Sequence, residues 1–361
     1  MRLAKFWTKL AKLDWTVGTP LSPPIGENMP KISSLIIAAL ITVGSVVLAD
    51  WSRAQPSAGG APPKSGTRII TLGTRSGPQP DVDRAQSSNL LIVNGSQYLI
   101  DAGDGVTRRL IRLGTNFRNI DNIFITHPHS DHTGGLGALM GLIYDLDRRK
   151  LVNIYGPPGT EASVRGLLQF LTVSAEIRIS DGTNTIPVNQ LFSGHDVGAG
   201  MIFQDTNVKV TAVENTHFHF QPGSPAYGKY KSYCYRFDTP DRSVVFTGDT
   251  GPSDAVTQLA KGADVLVSEA TNPVEEFKAT QIKLGLWQSK TPEEQAGMIR
   301  HHIEEHLLPE ELGKMAAGAG VKTVILTHLQ PSPNNDYTRY VDLVKKSFSG
   351  QVLVAKDLSE F

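Results

Sequence analysis

Two kinds of apolar pattern run along the chain. The first is one uncharged stretch, "ISSLIIAALITVGSVVLA", from Ile32 to Ala49, preceded by Arg2, Lys5, Lys9, Lys12 and Lys31. Its length stands at the border between a signal-peptide core and a short membrane span, and no amphipathic face accompanies it. With the basic residues ahead of it, everything downstream is expected across a membrane, in a periplasmic or secreted location. Small residues at Ser52 and Ala54 suit a cut before Gln55; uncut, residues 32–49 would remain as an anchor and be the chain's one membrane contact. Met29 offers a second start that would give a signal peptide of ordinary length. Residues 1–54 are therefore expected to be a targeting segment, and "QPSAGGAPPKSG", 55–66, a flexible linker.

The second pattern begins at about Thr67 and continues to residue 361. Short apolar runs recur there: "RIITLG", "NLLIVNG", "QYLIDAG", "NIFITH", "VNIYG", "VKVTAVE", "SYCYRF", "SVVFTGD", "DVLVSEA" and "TVILTH". They predict β-strands, and the spacing between them predicts helices at about 104–114, 135–149, 159–171, 291–306 and 309–319. Strands first, helical units inserted, and the pattern then repeated predict an α/β chain built as a two-sheet sandwich with helices outside.

Composition narrows the picture only a little. Hydrophobic residues make up 40% and charged residues 19%, which is ordinary for a folded globular chain. Lysine plus arginine equals aspartate plus glutamate at 35 each, so no global field favours nucleic acid. The single cysteine, Cys234, excludes an internal disulfide and a thiolate-rich zinc knuckle, and its apolar setting predicts a small core residue.

Chemistry concentrates in "FITHPHSDHTGG", 124–135, which crowds three of the ten histidines behind an apolar run. In an extended segment residues i and i+2 share a side, so His127 and His129 can grip one ion. Asp131 and His132 follow at the turn, and Gly134 and Gly135 let the backbone bend away. Three later positions also end apolar strand runs: His217, Asp249 and His328. Five imidazoles and two carboxylates suit two metal ions, one bound mostly through nitrogen and one through mixed nitrogen and oxygen. His219 is the weaker alternative to His217.

The pattern HxHxDH at 127–132, followed by His217, Asp249 in "GDT" and His328, resembles the metallo-β-lactamase superfamily over residues 67 to about 330. The resemblance implies a four-layer αββα sandwich with two zinc ions at one edge; manganese or iron would also suit such ligands. Carried over by position, His127, His129 and His217 hold the first metal, Asp131, His132 and His328 the second, and Asp249 bridges. Asp101 in "LIDAG" resembles the aspartate that orients the ligand loop.

"LVSEATN" and "HLLPEELGKMAAGAGVKTVILTHL" narrow the resemblance to the zinc phosphodiesterase branch, which holds ribonuclease Z and arylsulfatase-like proteins. That branch implies His306 as the acid that protonates the leaving oxygen and Glu269 as its partner, although Ser268 replaces a usual histidine. Asp131 would orient or deprotonate the attacking water. His301 and His302 are expected to be exposed. The inverted zinc-peptidase pattern His302-x-x-Glu305-His306 competes poorly with a complete metal site.

Three features, the expected export among them, steer the expected substrate towards a small phosphate or sulfate ester, with nucleic acid not expected as a partner. The segment between His217 and Asp249 is too short for the transfer-RNA-gripping arm of bacterial ribonuclease Z, and the net charge is zero. "GSPAYGKYKSYCY", with Tyr227, Tyr230 and Tyr233, is a candidate aromatic wall for such a substrate. Lactonase or β-lactamase-like hydrolysis at the same metals is the rival within enzymes. A non-catalytic envelope binding protein is the rival outside them, against which the complete ligand set argues.

Overall fold

The structure, a computed structural model, describes residues 66–332 and 335–361. The expected targeting segment and all but the last residue of the expected linker lie outside the described residues. Chain order is β1 (Thr67–Gly73), β2 (Ser88–Val93), β3 (Ser96–Ile100), α1 (Val106–Leu113), β4 (Ile120–Phe124), α2 (Ser130–Thr133), α3 (Leu136–Asp145), β5 (Val152–Gly156), α4 (Thr160–Ser180) and β6 (Phe192–Asp196). It continues with β7 (Gly200–Gln204), β8 (Lys209–Glu214), β9 (Tyr233–Asp238), β10 (Ser243–Phe246), α5 (Asp254–Leu259), β11 (Val265–Ala270) and α6 (Val274–Lys283). Last come α7 (Pro292–Glu304), α8 (Pro309–Ala319), β12 (Thr323–Leu329), α9 (Thr338–Lys345), β13 (Gln351–Val354) and β14 (Ser359–Glu360).

The layering follows from strands that are apolar on both faces. Every residue of β2 is buried. Leu90 and Ile92 join the core beneath α1, α3 and α4, whereas Leu91 and Val93 join the core between the sheets. Strands covered on both sides read as unbroken apolar runs, as these do. The inter-sheet core centres on Phe124, whose ring stands 5.2 Å from Phe237 and 6.0 Å from Tyr235 of the other sheet. A third core lies between the second sheet and α5, α8 and α9, and holds the buried Cys234. Three cores separate four layers, the αββα sandwich.

One sheet runs β14-β1-β2-β3-β4-β5-β6 and the other β13-β12-β11-β10-β9-β8-β7. Parallel pairing in β3 to β6 and in β10 to β13 brings several strand ends to one edge. The loop after β4, the turn after β10 and the ends of β11 and β12 meet there. Helix α4 runs nine residues beyond the expected stop at 171, to Ser180. Helix α6 was not legible because Phe277 is its one buried residue, so it carries no apolar stripe. Among the described residues no helix is long and apolar enough to cross a membrane.

Candidate metal centre and cleft

Asp101 ends β3 in the left-handed region, with φ of 59°, and its carboxylate turns under the loop after β4. It accepts hydrogen bonds from the Thr126 amide (2.8 Å) and hydroxyl (2.9 Å) and from His132 Nδ1 (2.8 Å). The Thr126 hydroxyl in turn lies 3.1 Å from His127 Nδ1. One carboxylate thus fixes both rings with Nδ1 inward, leaving each Nε2 free towards the site. Gly135 lets the chain leave the loop, since a Cβ there would stand 2.3 Å from the Gly103 carbonyl oxygen.

The other arms come from the second sheet. His217 follows β8; its Nδ1 donates to the Glu305 carbonyl at 2.9 Å, which again leaves Nε2 free. Asn215 holds this region together: its side-chain oxygen accepts from the His217 amide at 3.1 Å, and its amide donates to the Asp249 carbonyl at 2.9 Å. Sequence reasoning missed Asn215, and its place two residues before His217 was the available signal. Asp249 follows Gly248, whose φ of 56° and 2.7 Å approach to Thr126 Cβ exclude a side chain. At the end of β12 the register jumps, with Glu269 opposite Thr327 but Ala270 opposite Leu329. His328 is the extra residue of this bulge, at φ of 48°, and the bulge turns its ring into the site. A non-glycine residue there costs on the order of 1–3 kcal/mol, which the surrounding fold sustains.

Two donor clusters result. In the first, His127 Nε2 and His217 Nε2 each lie 3.1 Å from His129 Nδ1. In the second, His328 Nε2 is 3.2 Å from Asp131 Oδ2 and 3.4 Å from Asp249 Oδ1, and His132 Nε2 is 3.3 Å from Asp249 Oδ1. Asp249 spans the two, its Oδ2 standing 4.0 Å from His127 Nε2.

This donor set fits a cation. A nitrogen proton can satisfy one contact around His129 Nδ1, leaving another as lone pairs face to face. Buried His132 Nε2 and Asp249 Oδ1 have no hydrogen-bond partner although they face one another. Nitrogen ligands of tetrahedral zinc, with bonds of about 2.0–2.1 Å, lie about 3.3 Å apart, close to these spacings.

Electrostatics sorts the groups. Burial holds His127 and His217 well below the usual histidine range, the neutral form that a ligand needs. Burial opposes the charge of Asp249 and Asp131, but the facing His328 and His132 outweigh it and keep both carboxyls well below the usual range.

Beside Asp249 the segment between α7 and α8 brings in His306. Its Nδ1 donates to Glu269 Oε2 at 2.8 Å and lies 3.9 Å from Asp249 Oδ2. Burial alone would lower its pKa; Glu269 and then Asp249 outweigh that and raise it to about 9. The Thr250 amide pins the other Glu269 oxygen at 2.6 Å. His306 precedes α8 rather than opening it.

Four residues earlier His302 has the opposite fate. Expected to be exposed, it is 2% exposed, donating from Nε2 to the Asn272 carbonyl at 2.7 Å and stacked 4.0 Å from Phe277. Burial lowers its pKa to about 4. The correction has a simple cause: α7 packs this face against α6, the helix the sequence did not announce. His302 therefore points away from any peptidase-like pairing with His306. His301 is exposed and ion-paired with Glu305 at 2.9 Å, and His219 is exposed beside Glu304 at 3.6 Å.

A cleft of about 490 Å³ opens over the centre, lined by His129, Asp131, His306 and His328 and walled by Phe277 and Met298. The candidate tyrosines do not line it. Tyr233 is buried in β9, and Tyr227 and Tyr230 stand out in solvent at 54% and 44% exposure. Strand alternation sends the Tyr233 ring into the inter-sheet core.

Residues 96–329 match the family model described as the β-lactamase superfamily domain. The chain belongs to that superfamily, and the fold and the histidine–aspartate metal site define it as a metal-dependent hydrolase. Within the superfamily it is ribonuclease Z-like. It is 30% identical over 299 residues to Ribonuclease Z of Mycobacterium bovis, covering 80% of this chain and 96% of that one. Its fold matches the metallo-β-lactamase fold protein YhfI of Bacillus subtilis with a TM-score of 0.59 at 20% identity, over 82% and 99% of the two chains. Human tRNase Z, short form, matches with a TM-score of 0.55 at 21% identity, over 81% and 98%.

These relatives overturn the expectation that nucleic acid is not a partner. A ribonuclease aligns over nearly its whole length, so the short 218–248 segment does not separate this chain from enzymes of that name. Zero net charge was a weak argument because a sum over the chain does not describe the field at one cleft.

Proposed function

We propose that the chain hydrolyses phosphodiester bonds in RNA, with His127, His129 and His217 holding one zinc ion, Asp131, His132 and His328 a second, and Asp249 shared. Metal ions bound there would lower the pKa of water and stabilise charge on the transferred phosphoryl group. The reaction joins a water oxygen to phosphorus and breaks the bond from phosphorus to the leaving oxygen. His306 is the residue that supplies the proton this oxygen needs. Its Nδ1–H is engaged by Glu269, which leaves Nε2 as the donating atom and keeps the ring charged at neutral pH. Asp131 orients the water and does not store its proton, because its carboxyl is held so firmly in the charged form.

The observation that carries this reading is the His306–Glu269 pair at 2.8 Å beside Asp249 in the cleft. Held charged beside the donor clusters, this imidazole is placed to give a proton to a leaving oxygen. Location across a membrane, with residues 1–54 as the targeting segment, remains part of the proposal and is checked with a reporter fused after Ser65. For activity, the zinc-loaded full chain should cleave single-stranded RNA and bis(nitrophenyl) phosphate faster than nitrophenyl sulfate. Hydrolysis of the sulfate with both phosphodiesters left intact would overturn the reading.

A further inference from the structure

The tyrosine loop adds no ring to the cleft, yet the metal histidines carry aromatic neighbours of another origin, in the segment that follows β8. Directly after His217 come Phe218 and Phe220, in "HFHF". The Phe218 ring stands 5.2 Å from the His129 ring and 5.8 Å from the His127 ring, both edge to face, and 5.0 Å from that of His217. Phe220 stacks on it at 4.8 Å with an interplanar angle of 27°. Both phenyl groups are only half-buried. Neither lines the cleft that holds His306, so they border the metal histidines outside it.

A half-exposed aromatic pair at this place needs a reason. Shielding of the first donor cluster accounts for Phe218, which touches all three of its rings. It does not account for Phe220, whose one aromatic neighbour among the described residues is Phe218. The residue between them, His219, lies 3.6 Å from Glu304 instead, and the stacking itself sets the two phenyl rings side by side. Leaving a phenyl group partly in water forgoes the hydrophobic gain that burial would supply. A flat partner that covers the ring in the bound state restores that contact.

We infer that Phe218 and Phe220 form a stacking platform for one nucleobase next to the scissile phosphate. This rests on the RNA phosphodiesterase reading above and names a subsite for it. Stacking suits a single strand because every base offers a face, and it fixes the neighbouring phosphate over the metals without reading sequence. Lys229, in the same connection between β8 and β9, is exposed and supplies a positive charge for the backbone.

The test pairs a change in the protein with a change in the ligand. Binding to the zinc-loaded full chain is measured by fluorescence anisotropy with a short oligoribonucleotide and with the same strand abasic beside the scissile position. Turnover is followed in parallel. Phe220→Ala should weaken binding of the intact strand roughly 5- to 150-fold and leave the abasic strand unchanged, with metal content unaltered. Phe220→Trp should restore binding and Phe220→Leu should not, because leucine supplies bulk without a ring face. Equal losses for both strands, or none for either, would overturn the platform. Base-dependent binding without turnover would support the platform while removing the RNA hydrolysis it was argued from. Turnover indifferent to the base would do the reverse.

Discussion

The two donor clusters lie on either side of one aspartate and are built on opposite principles. His127, His129 and His217 present three nitrogens, two of them kept neutral by burial, and no carboxylate of their own. Asp131, His132, Asp249 and His328 are all buried; burial opposes a charge on His132, but Asp249 and, from behind, Asp101 hold it well above its usual range. Three nitrogens suit a borderline metal such as zinc, whereas a mixed nitrogen and oxygen set suits harder ions as well. Asp101 supports both, gripping His132 directly and His127 through the Thr126 hydroxyl. The difference teaches that Asp249 and Asp101, rather than any histidine, make one centre of two.

Asp249→Ala is the largest way to break that arrangement. It removes the group common to both clusters and leaves Asp131 as the second cluster's one carboxylate. Bound zinc, measured by atomic absorption, should fall from about two equivalents towards one, and phosphodiester hydrolysis should drop below detection. Unchanged zinc and activity would mean that the clusters work separately.

Next in size is the flank that the second cluster shares with His306. His306→Ala should keep both metals yet slow an alkyl phosphodiester roughly 100- to 10,000-fold, and a nitrophenyl ester far less, because a good leaving group needs no proton. Glu269→Gln should give the same pattern more weakly. An equal loss for both leaving groups would reduce His306 to a packing residue.

Asp101→Ala sharpens the contrast between direct and relayed support. Losing the carboxylate behind a metal-bound histidine typically costs 10- to 100-fold in metal affinity. Here the larger loss is expected at the second cluster, with Thr126→Val giving a smaller loss that falls mainly on the first, since its hydroxyl lies 3.1 Å from His127 and 3.4 Å from His132. Competition with a zinc chelator separates the two steps.

The smallest effect concerns the helix that carries His302 on one side and leads to His306 on the other. The folded pKa of His302, about 4, lies below its ordinary 6.5. Below pH 6.5 the unfolded chain takes up a proton that the folded chain refuses, so stability falls as the pH drops towards 4. At pH 5 this amounts to about 2 kcal/mol relative to pH 7. Urea midpoints at the two pH values should show it, and His302→Gln should remove that part of the acid sensitivity.

What the sequence by itself determined was local. Strands buried on both faces must be apolar throughout, so the β-runs, and with them the sandwich, were legible. The HxHxDH loop was legible because its ligands lie within six residues and their spacing carries the chemistry. The strand-end positions of Asp249 and His328 were legible for a similar reason.

Tertiary structure alone decided what depends on contacts between distant segments. His302 and His306 are one residue type four positions apart, and only packing against Phe277 in one case and Glu269 in the other separates a neutral core ring from a charged one. Tyr233 went to the core because pairing in β9 turns its ring between the sheets, whereas Phe218, in the irregular segment after β8, lies beside the donor histidines at the rim of the metal site. That the loop after β4 and the ends of β8, β10 and β12 bring their donors to one site likewise follows from sheet order, which local periodicity does not encode.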